Sequence, residues 1–402
     1  MKRIVVVGAS LAGFKTVDAL RSNGFAGPIT LIGAEDLLPY DRPPLSKDFL
    51  LADIVPDIDF ASSSWYRENN VELLLGTAAS GLDTNRKEVT VGAERIPYDE
   101  LVIATGARPR NPFGELPKNV FTLRTMDDAL EMRLALRSSK STVIIGGGFI
   151  GMEVASAALD LGHEVTVIEV AEVPLSRNLG PETAIRIGDH IREKGVKLAC
   201  GRSVSQFHGD EVLTGVTLDD GTHIDCEVAI IGIGAIPNTE WLASSELVAS
   251  PAGIHCDDSG KAAPGIWAVG DVSAWADTDG VPRRHEHWTN ATLQTQVVAS
   301  SIVHGSAQPI EAISYVWSDQ FGRRISILGT THEADEVRIL NTVGADFASL
   351  YAQNGKIVGA CVVNQPRLYI QARRWVSEGK PVAEIAEWNE AVGLTDDSAV
   401  RI

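Results

Sequence analysis

Cysteine is scarce in this chain: four among 402 residues, Cys200, Cys226, Cys256 and Cys361, far apart and without a C-x-x-C pair. That usage excludes a disulfide scaffold, a thiolate zinc site and a redox dithiol. Long uncharged apolar runs are also missing, since none approaches the roughly 18 residues of a membrane span. The opening Met1-Lys2-Arg3-Ile4-Val5-Val6-Val7-Gly8 has an apolar run of only four residues ending in glycine, which is a strand and not a signal peptide. Positive charge is in deficit, 35 Lys and Arg against 53 Asp and Glu, for a net charge of -18. The average field therefore repels nucleic acid and anionic membrane surfaces. Together these features predict a reduced, cytoplasmic protein with no nucleic-acid or membrane partner.

What is present is ordinary globular material, 44% hydrophobic and 22% charged. At this length one core is not enough, and two or three domains are expected. One pattern occurs twice: apolar strand, glycine turn, helix, second strand, acidic residue. In the first copy Ile4–Val7 leads into the turn Gly8–Gly13, Phe14–Leu20 has helical character, Ile29–Ile32 returns as a strand, and Glu35 follows. The second copy runs from Thr142–Ile145 through Gly146–Gly151, a helix to about Leu161, the strand Glu164–Ile168, and Glu169. Each is the size of a βαβ unit. The runs Tyr98–Ala107 and Glu227–Gly234 suit parallel strands covered on both faces. Near Ile310 the texture changes to short alternating segments and then a helix, Pro366–Glu378. The predicted fold class is α/β: two doubly wound Rossmann-like dinucleotide-binding domains plus a C-terminal α+β domain with an antiparallel sheet.

A glycine turn between strand and helix lets backbone approach a pyrophosphate at the helix N-terminus, where unpaired N–H groups and the dipole favour negative charge. The acid after the second strand then accepts from ribose hydroxyls. Gly146, Gly148 and Gly151 supply all three glycines of the second copy, with Ile150 between them and Glu169 following 18 residues after Gly151. The first copy, Gly8, Ala9, Ser10, Leu11, Ala12, Gly13, has serine at the second glycine position, so Ser10 must keep its hydroxyl clear of the phosphates; Glu35, 22 residues past Gly13, restores the pattern. Two complete units imply two dinucleotides, and FAD with a nicotinamide nucleotide is the common pairing. Asp271, after the run Gly265–Gly270, is placed at a strand end to meet a hydroxyl-rich ligand, or to cap a helix. Glu153, in the first turn of the second helix, complements a helix dipole on its own terms. Trp288 and Trp317 are equally suited to core packing, Lys47 to the surface, and His285 and His287 lack metal-ligand spacing, so no metal is expected.

The chain resembles the FAD-dependent NADH:ferredoxin reductases of the putidaredoxin reductase type, which supply electrons to cytochrome P450 and aromatic-ring dioxygenase systems. The resemblance is carried by Gly8–Gly13, Pro39–Lys47, Leu101–Pro109, Leu123–Thr125, Gly146–Glu153, Gly234–Asn238, Ala268–Asp271, Glu286–Gln294 and the tetrad Trp317-Ser318-Asp319-Gln320. It implies that Asp271, after Gly270, holds the ribityl chain of FAD, that Lys47 reaches the flavin and pairs with Glu153 near the nicotinamide amide, and that Arg42 and Arg124 lie near phosphates. Ala79, Ala104, Thr105, Gly106, Trp288 and Trp317 match further flavin-contacting positions, and Gly234 a nucleotide-contacting one. Lys47 and Glu153 are the implied catalytic pair.

The implied domains are 1–107 and 231–306 for FAD, 108–230 for NAD, and 307–402 at the C-terminus. The implied reaction passes hydride from NADH to FAD, and then electrons one at a time to a [2Fe–2S] ferredoxin, acidic in character, from a monomer or weak homodimer. The alternatives are an NADH oxidase, a rubredoxin reductase, or a non-enzymatic redox-sensing flavoprotein of the apoptosis-inducing-factor type. The doublets Arg283-Arg284, Arg323-Arg324 and Arg373-Arg374 are candidate docking cations, or are solvated or paired within the chain.

Overall fold

The computed structural model describes residues 2–277, 279–306, 313–332, 334–341, 346–385 and 395–401, with the side chains of 341 and 395–401 outside the description. The change of texture near Ile310 lies outside the described residues. Among those described, the longer helices are α1 (Leu11–Ser22), α2 (Met126–Ser138), α3 (Phe149–Asp160), α4 (Ser176–Glu193), α5 (Trp288–His304) and α6 (Pro366–Glu378). None is long and apolar enough to cross a membrane. The chain divides into two compact units, one of residues 1–42, 57–108 and 235–312, the other of 43–56, 109–234 and 313–402.

The first unit is built on a six-stranded sheet in the order Lys261–Ala263, Ile266–Ala268, Glu100–Ile103, Ile4–Val7, Ile29–Ile32, Val71–Leu74. Its strands run parallel except at the Lys261–Ala263 edge. Ile4, Val5, Val6 and Leu31 are fully buried, as expected of β-branched and aliphatic strands covered on both faces. Helices α1 and α5 pack together in this unit. A three-stranded antiparallel sheet, Ala79–Asp83, Glu88–Val91 and Glu94–Pro97, was not legible in the sequence, because its strands are short and largely polar.

The second unit holds a five-stranded parallel sheet in the order Lys197–Cys200, Glu164–Glu169, Ser141–Ile145, Val228–Ile231, Val120–Phe121. It also holds a six-stranded antiparallel sheet, Tyr315–Gln320, Arg323–Gly329, Lys356–Val363, Phe347–Gln353, Glu336–Asn341 and Thr395–Arg401 in spatial order, with α6 laid on it through Leu368, Ala372 and Trp375. The mixed α/β class with a C-terminal antiparallel sheet is the one expected.

All four cysteines are free, and Cys226, Cys256 and Cys361 are buried. Burial pushes each of these three thiols up to about 12, and Cys200 upward as well, so all four are protonated at neutral pH. Iodoacetamide at pH 7 should therefore label at most the partly exposed Cys200 in the native protein and all four cysteines after unfolding, as mass spectrometry will report. NADH-driven dye reduction should survive the native treatment. Its loss on labelling would reinstate a thiol in the electron path.

Candidate functional site

In the first unit Ile4–Val7 ends in Gly8, whose N–H donates to Ile32 O at 2.8 Å and whose φ is +115°. A Cβ there would lie 2.1 Å from Ala104 O, and one on Gly13 would lie 1.8 Å from Gly8 O. Glycine is thus required at both positions for strand, turn and α1 to close on one another. Ser10 is the N-cap of α1 but makes no side-chain cap; its hydroxyl instead accepts from Arg42 Nε at 2.8 Å. Ser10 therefore leaves the first-turn N–H groups of α1 uncapped, which suits an anion. Leu11 and Ala12 open the helix.

Glu35 accepts from Arg42 Nη2 and from the Tyr40 hydroxyl, each at 2.6 Å, so Ser10, Glu35 and Arg42 come together with Tyr40, which the sequence did not single out. Asp271 stands after the strand Ile266–Ala268, at the same sheet end as Gly8. The Gly270 N–H before it donates to Gln294 Oε1 at 2.7 Å, and a Cβ on Gly270 would come 3.0 Å from Ala12 Cβ, which sets this loop against the start of α1. The half-buried imidazole of His287 feels the Asp271 carboxylate; burial, and then His285, hold its pKa below the usual histidine value. Thr105 Oγ1 donates to Asn238 O and Asn238 Nδ2 to Thr105 O, both at 2.9 Å, fixing the segment Ala104, Thr105, Gly106. Trp288 donates Nε1 to Asp41 Oδ1 at 2.9 Å. Ala79 lies three residues past Gly76, whose N–H donates to Glu35 O.

The second unit repeats the device. Gly146 has φ +105° and a Cβ would come 2.4 Å from Gly232 O, whereas one on Gly148 would meet only Gly232 O, at 3.8 Å. Gly148 therefore leaves open space at the uncapped start of α3, beside exposed Ile150. Gly151 closes the turn as Gly13 does, since a Cβ there would stand 2.3 Å from Gly146 O. Glu169 ends its strand with both carboxylate oxygens accepting backbone N–H groups, from Gly147 at 2.6 Å and Ala171 at 2.8 Å. Gly234, with φ +104°, has nothing within 4 Å of where a Cβ would stand.

The segment Pro43–Pro56 belongs to this second unit, and its Lys47 Nζ meets Glu153 Oε1 at 2.9 Å, with side-chain exposures of 17% and 6%. Glu153 also accepts from Ser46 Oγ at 2.5 Å and Ser318 Oγ at 2.6 Å. A carboxylate this buried needs such partners, because breaking a buried pair leaves an uncompensated charge. Ser46 and Ser318 carried no assignment in the sequence reading, since a serine hydroxyl gives no signal of its own. Arg124 lies ahead of α2, where Thr125 and Asp128 form a capping box and Asp128 also accepts from the Arg124 N–H. Trp317 stacks on Tyr315 at 5.7 Å. Among the described residues no group of three or more His, Cys, Asp or Glu is placed to hold a metal ion.

Two sheets, one in each unit and each with a phosphate-ready glycine turn and a following acid, define a protein of the two-nucleotide α/β oxidoreductase class. The chain belongs to the pyridine nucleotide-disulphide oxidoreductase family, whose model matches residues 2–295, and residues 315–396 match the reductase C-terminal domain. It is similar to the ferredoxin reductase component of chlorobenzene dioxygenase from Cupriavidus sp. (strain PS12), 34% identical over 97% of this chain and 96% of the relative. It is also similar to the ferredoxin–NAD(+) reductase subunit of the benzene 1,2-dioxygenase system of Pseudomonas putida, 34% identical over 93% and 92%. Among solved structures, the ferredoxin reductase for the CYP199A2 system from Rhodopseudomonas palustris matches with a TM-score of 0.89 and 31% identity over 95% of this chain and 96% of that one. The covalent putidaredoxin reductase–putidaredoxin complex matches at 0.90 and 30%, over 95% and 94%.

Proposed function

We propose that this protein is an NADH-dependent, FAD-containing reductase that passes electrons singly to a [2Fe–2S] ferredoxin serving a P450 or ring-hydroxylating dioxygenase. The observation that carries the proposal is the pair of glycine turns, each with an uncapped helix start and a following acid, in a chain whose thiols are held protonated. When bound, FAD supplies the conversion between a two-electron hydride donor and a one-electron acceptor. The donor set fits it: Gly8, Ser10, Leu11, Ala12 and Gly13 receive the pyrophosphate, Glu35 with Arg42 the adenosine end, Asp271 the ribityl hydroxyls. Arg124 stands with Arg42 near the phosphates, and Ala79, Ala104, Thr105, Gly106, Gly270, Trp288 and Trp317 complete the flavin contacts. Gly146, Gly148, Ile150, Gly151, Glu169 and Gly234 bind NADH, and Lys47 with Glu153 orients its nicotinamide end. On this assignment 1–107 and 231–306 serve FAD, 108–230 serves NAD and 307–402 forms the C-terminal domain.

The acceptor we assign is an acidic ferredoxin. Five of the six doublet guanidiniums have carboxylate partners: Arg283 with Asp277, Arg284 with Glu286, Arg323 with Asp346, Arg324 with Asp319, Arg374 with Glu378. Pairing leaves little net field at these positions. Arg373, by contrast, is exposed on α6 with Arg367 and with Ile370, which is 65% exposed, and neither Arg367 nor Arg373 has an ion pair among the described residues. Charge reversal Arg373→Glu should slow NADH-driven ferredoxin reduction about threefold to tenfold at low salt and flatten its salt dependence, with dye reduction intact. Arg283→Glu should do much less. Oxygen consumption or rubredoxin reduction outpacing every ferredoxin tried would replace the proposal with the oxidase or rubredoxin reading.

A further inference from the structure

Glu153 is held from the strand Tyr315–Gln320 by a contact that the proposed reaction leaves without a role. Ser318, fully buried, donates its one proton to Glu153 Oε1 at 2.6 Å. Its oxygen in turn accepts from Gln320 Nε2 at 3.0 Å. The proton inventory fixes both directions. An ionised carboxylate only accepts, so Ser318 must donate to it, and Gln320 must then present its N–H and not its carbonyl to Ser318. That orientation leaves Gln320 Oε1 buried and unpartnered among the described residues. Gln320 borders a cavity of ≈ 10 Å³ with His190, Phe321 and Arg323.

The strand is pinned where it delivers these residues. The Phe321 N–H donates to Ser156 Oγ at 2.8 Å, one turn along α3 from Glu153, and the Phe321 carbonyl accepts from His190 Nε2 at 3.2 Å. Phe321 and Gly322 both have positive φ, 51° and 75°, the two-residue hairpin turn whose twist suits the flanking strands. A bulky residue in that region persists only where its surroundings over-determine it.

We infer that Ser318 and Gln320 are positioning residues, a relay that fixes the rotation of the Glu153 carboxylate against Lys47 so that it meets the nicotinamide carboxamide in one orientation. The inference rests on the assignment of Glu153 to the nicotinamide. Ser156→Ala is the structural comparison, because it removes a contact between α3 and the same hairpin without touching the carboxylate.

The experiment measures NAD+ affinity of the oxidised holoenzyme by calorimetry, together with anaerobic stopped-flow reduction by NADH, flavin content and Tm, for Glu153→Gln, Ser318→Ala, Gln320→Leu, Gln320→Glu and Ser156→Ala. Ser318→Ala and Gln320→Leu should each weaken NAD+ about tenfold, and adding either to Glu153→Gln should weaken it no further. Ser156→Ala should lower Tm and leave affinity within about twofold of wild type. Gln320→Glu adds a pH signature. Its protonated side chain can donate to Ser318 as the amide does; its ionised form cannot, and it competes with Glu153 for the serine proton. Among the described residues, the other charged or titratable groups facing the position are Glu153 on α3, with Lys47 behind it, His190 on α4 and Arg323 across the hairpin. Affinity in Gln320→Glu should approach wild type at low pH and fall as pH rises, a trend absent from wild type. If Glu153→Gln binds NAD+ and is reduced normally, the nicotinamide assignment and the relay fail together. If Glu153→Gln is impaired while Ser318→Ala and Gln320→Leu match Ser156→Ala, the relay alone is overturned.

Discussion

Glu169→Ala will narrow the preference for NADH over NADPH by about tenfold or more, measured as the ratio of kcat/KM values. In the wild-type protein that ratio should be on the order of a hundred, because a carboxylate serving both ribose hydroxyls repels a 2′-phosphate. The geometry makes the substitution more than a loss of charge. Both carboxylate oxygens are held by backbone, Gly147 N–H at 2.6 Å and Ala171 N–H at 2.8 Å. Truncation frees these two donors at the place where a 2′-phosphate has to sit, and paired backbone N–H groups are anion-binding elements. No cation stands at Val170, Ala171, Glu172 or Val173 to receive the phosphate in the wild type. Arg202 is adjacent through its N–H to Glu169 O, but its guanidinium is committed to Asp220 at 2.8 Å. Arg177 is exposed and further along the chain. A wild-type enzyme that favours NADPH, or a ratio unmoved by Glu169→Ala, removes Glu169 from the ribose.

The glycine turns were legible because everything that defines them is local: strand, φ-permissive residue, helix and acid fall within one short stretch. The partners of the acids were not. Glu35 is gripped by Arg42 and Tyr40, and Glu153 by Ser46, Lys47 and Ser318, the last 165 residues away, and neither spacing nor composition encodes such contacts. The resemblance supplied the pairing of Lys47 with Glu153 but neither serine. The arginine doublets show the opposite limitation. As a sequence pattern they suggest a positive surface, yet their neutralising carboxylates lie two to 23 residues away, and Arg323 finds Asp346 only through the fold. The strand Thr395–Arg401 was missed for a different reason: its polar run has no apolar period, and it is a strand because it pairs with Glu336–Asn341.

Gly8→Ala should abolish stable flavin binding, and Gly146→Ala should leave the flavin in place while abolishing its reduction by NADH. At Gly8 the residue has φ +115°, and the new Cβ would stand 2.1 Å from Ala104 O and 2.4 Å from Ala104 C, both backbone atoms. Neither side can yield easily. Gly8 N–H is bonded to Ile32 O at 2.8 Å and Ala104 N–H to Val7 O at 2.7 Å, so relief requires parting buried central strands of the sheet. Backbone strain and overpacking together cost about 2–6 kcal/mol. The same movement displaces the start of α1, where the pyrophosphate is assigned. Gly24→Ala is the control for conformation alone, since Gly24 has φ +85° but nothing within 4 Å of the added carbon; it should cost only about 1–2 kcal/mol and retain FAD. An alanine at Gly146 would be strained in the same way as one at Gly8, with φ +105° and its Cβ 2.4 Å from Gly232 O, but Gly146 belongs to the other compact unit, so the damage should stay with the nicotinamide nucleotide. Flavin-to-protein ratio after gel filtration, Tm and anaerobic reduction by NADH separate the three variants. Full FAD retention in Gly8→Ala, or flavin loss in Gly146→Ala with its FAD unit otherwise folded, would show that the two turns have been assigned to the wrong nucleotides.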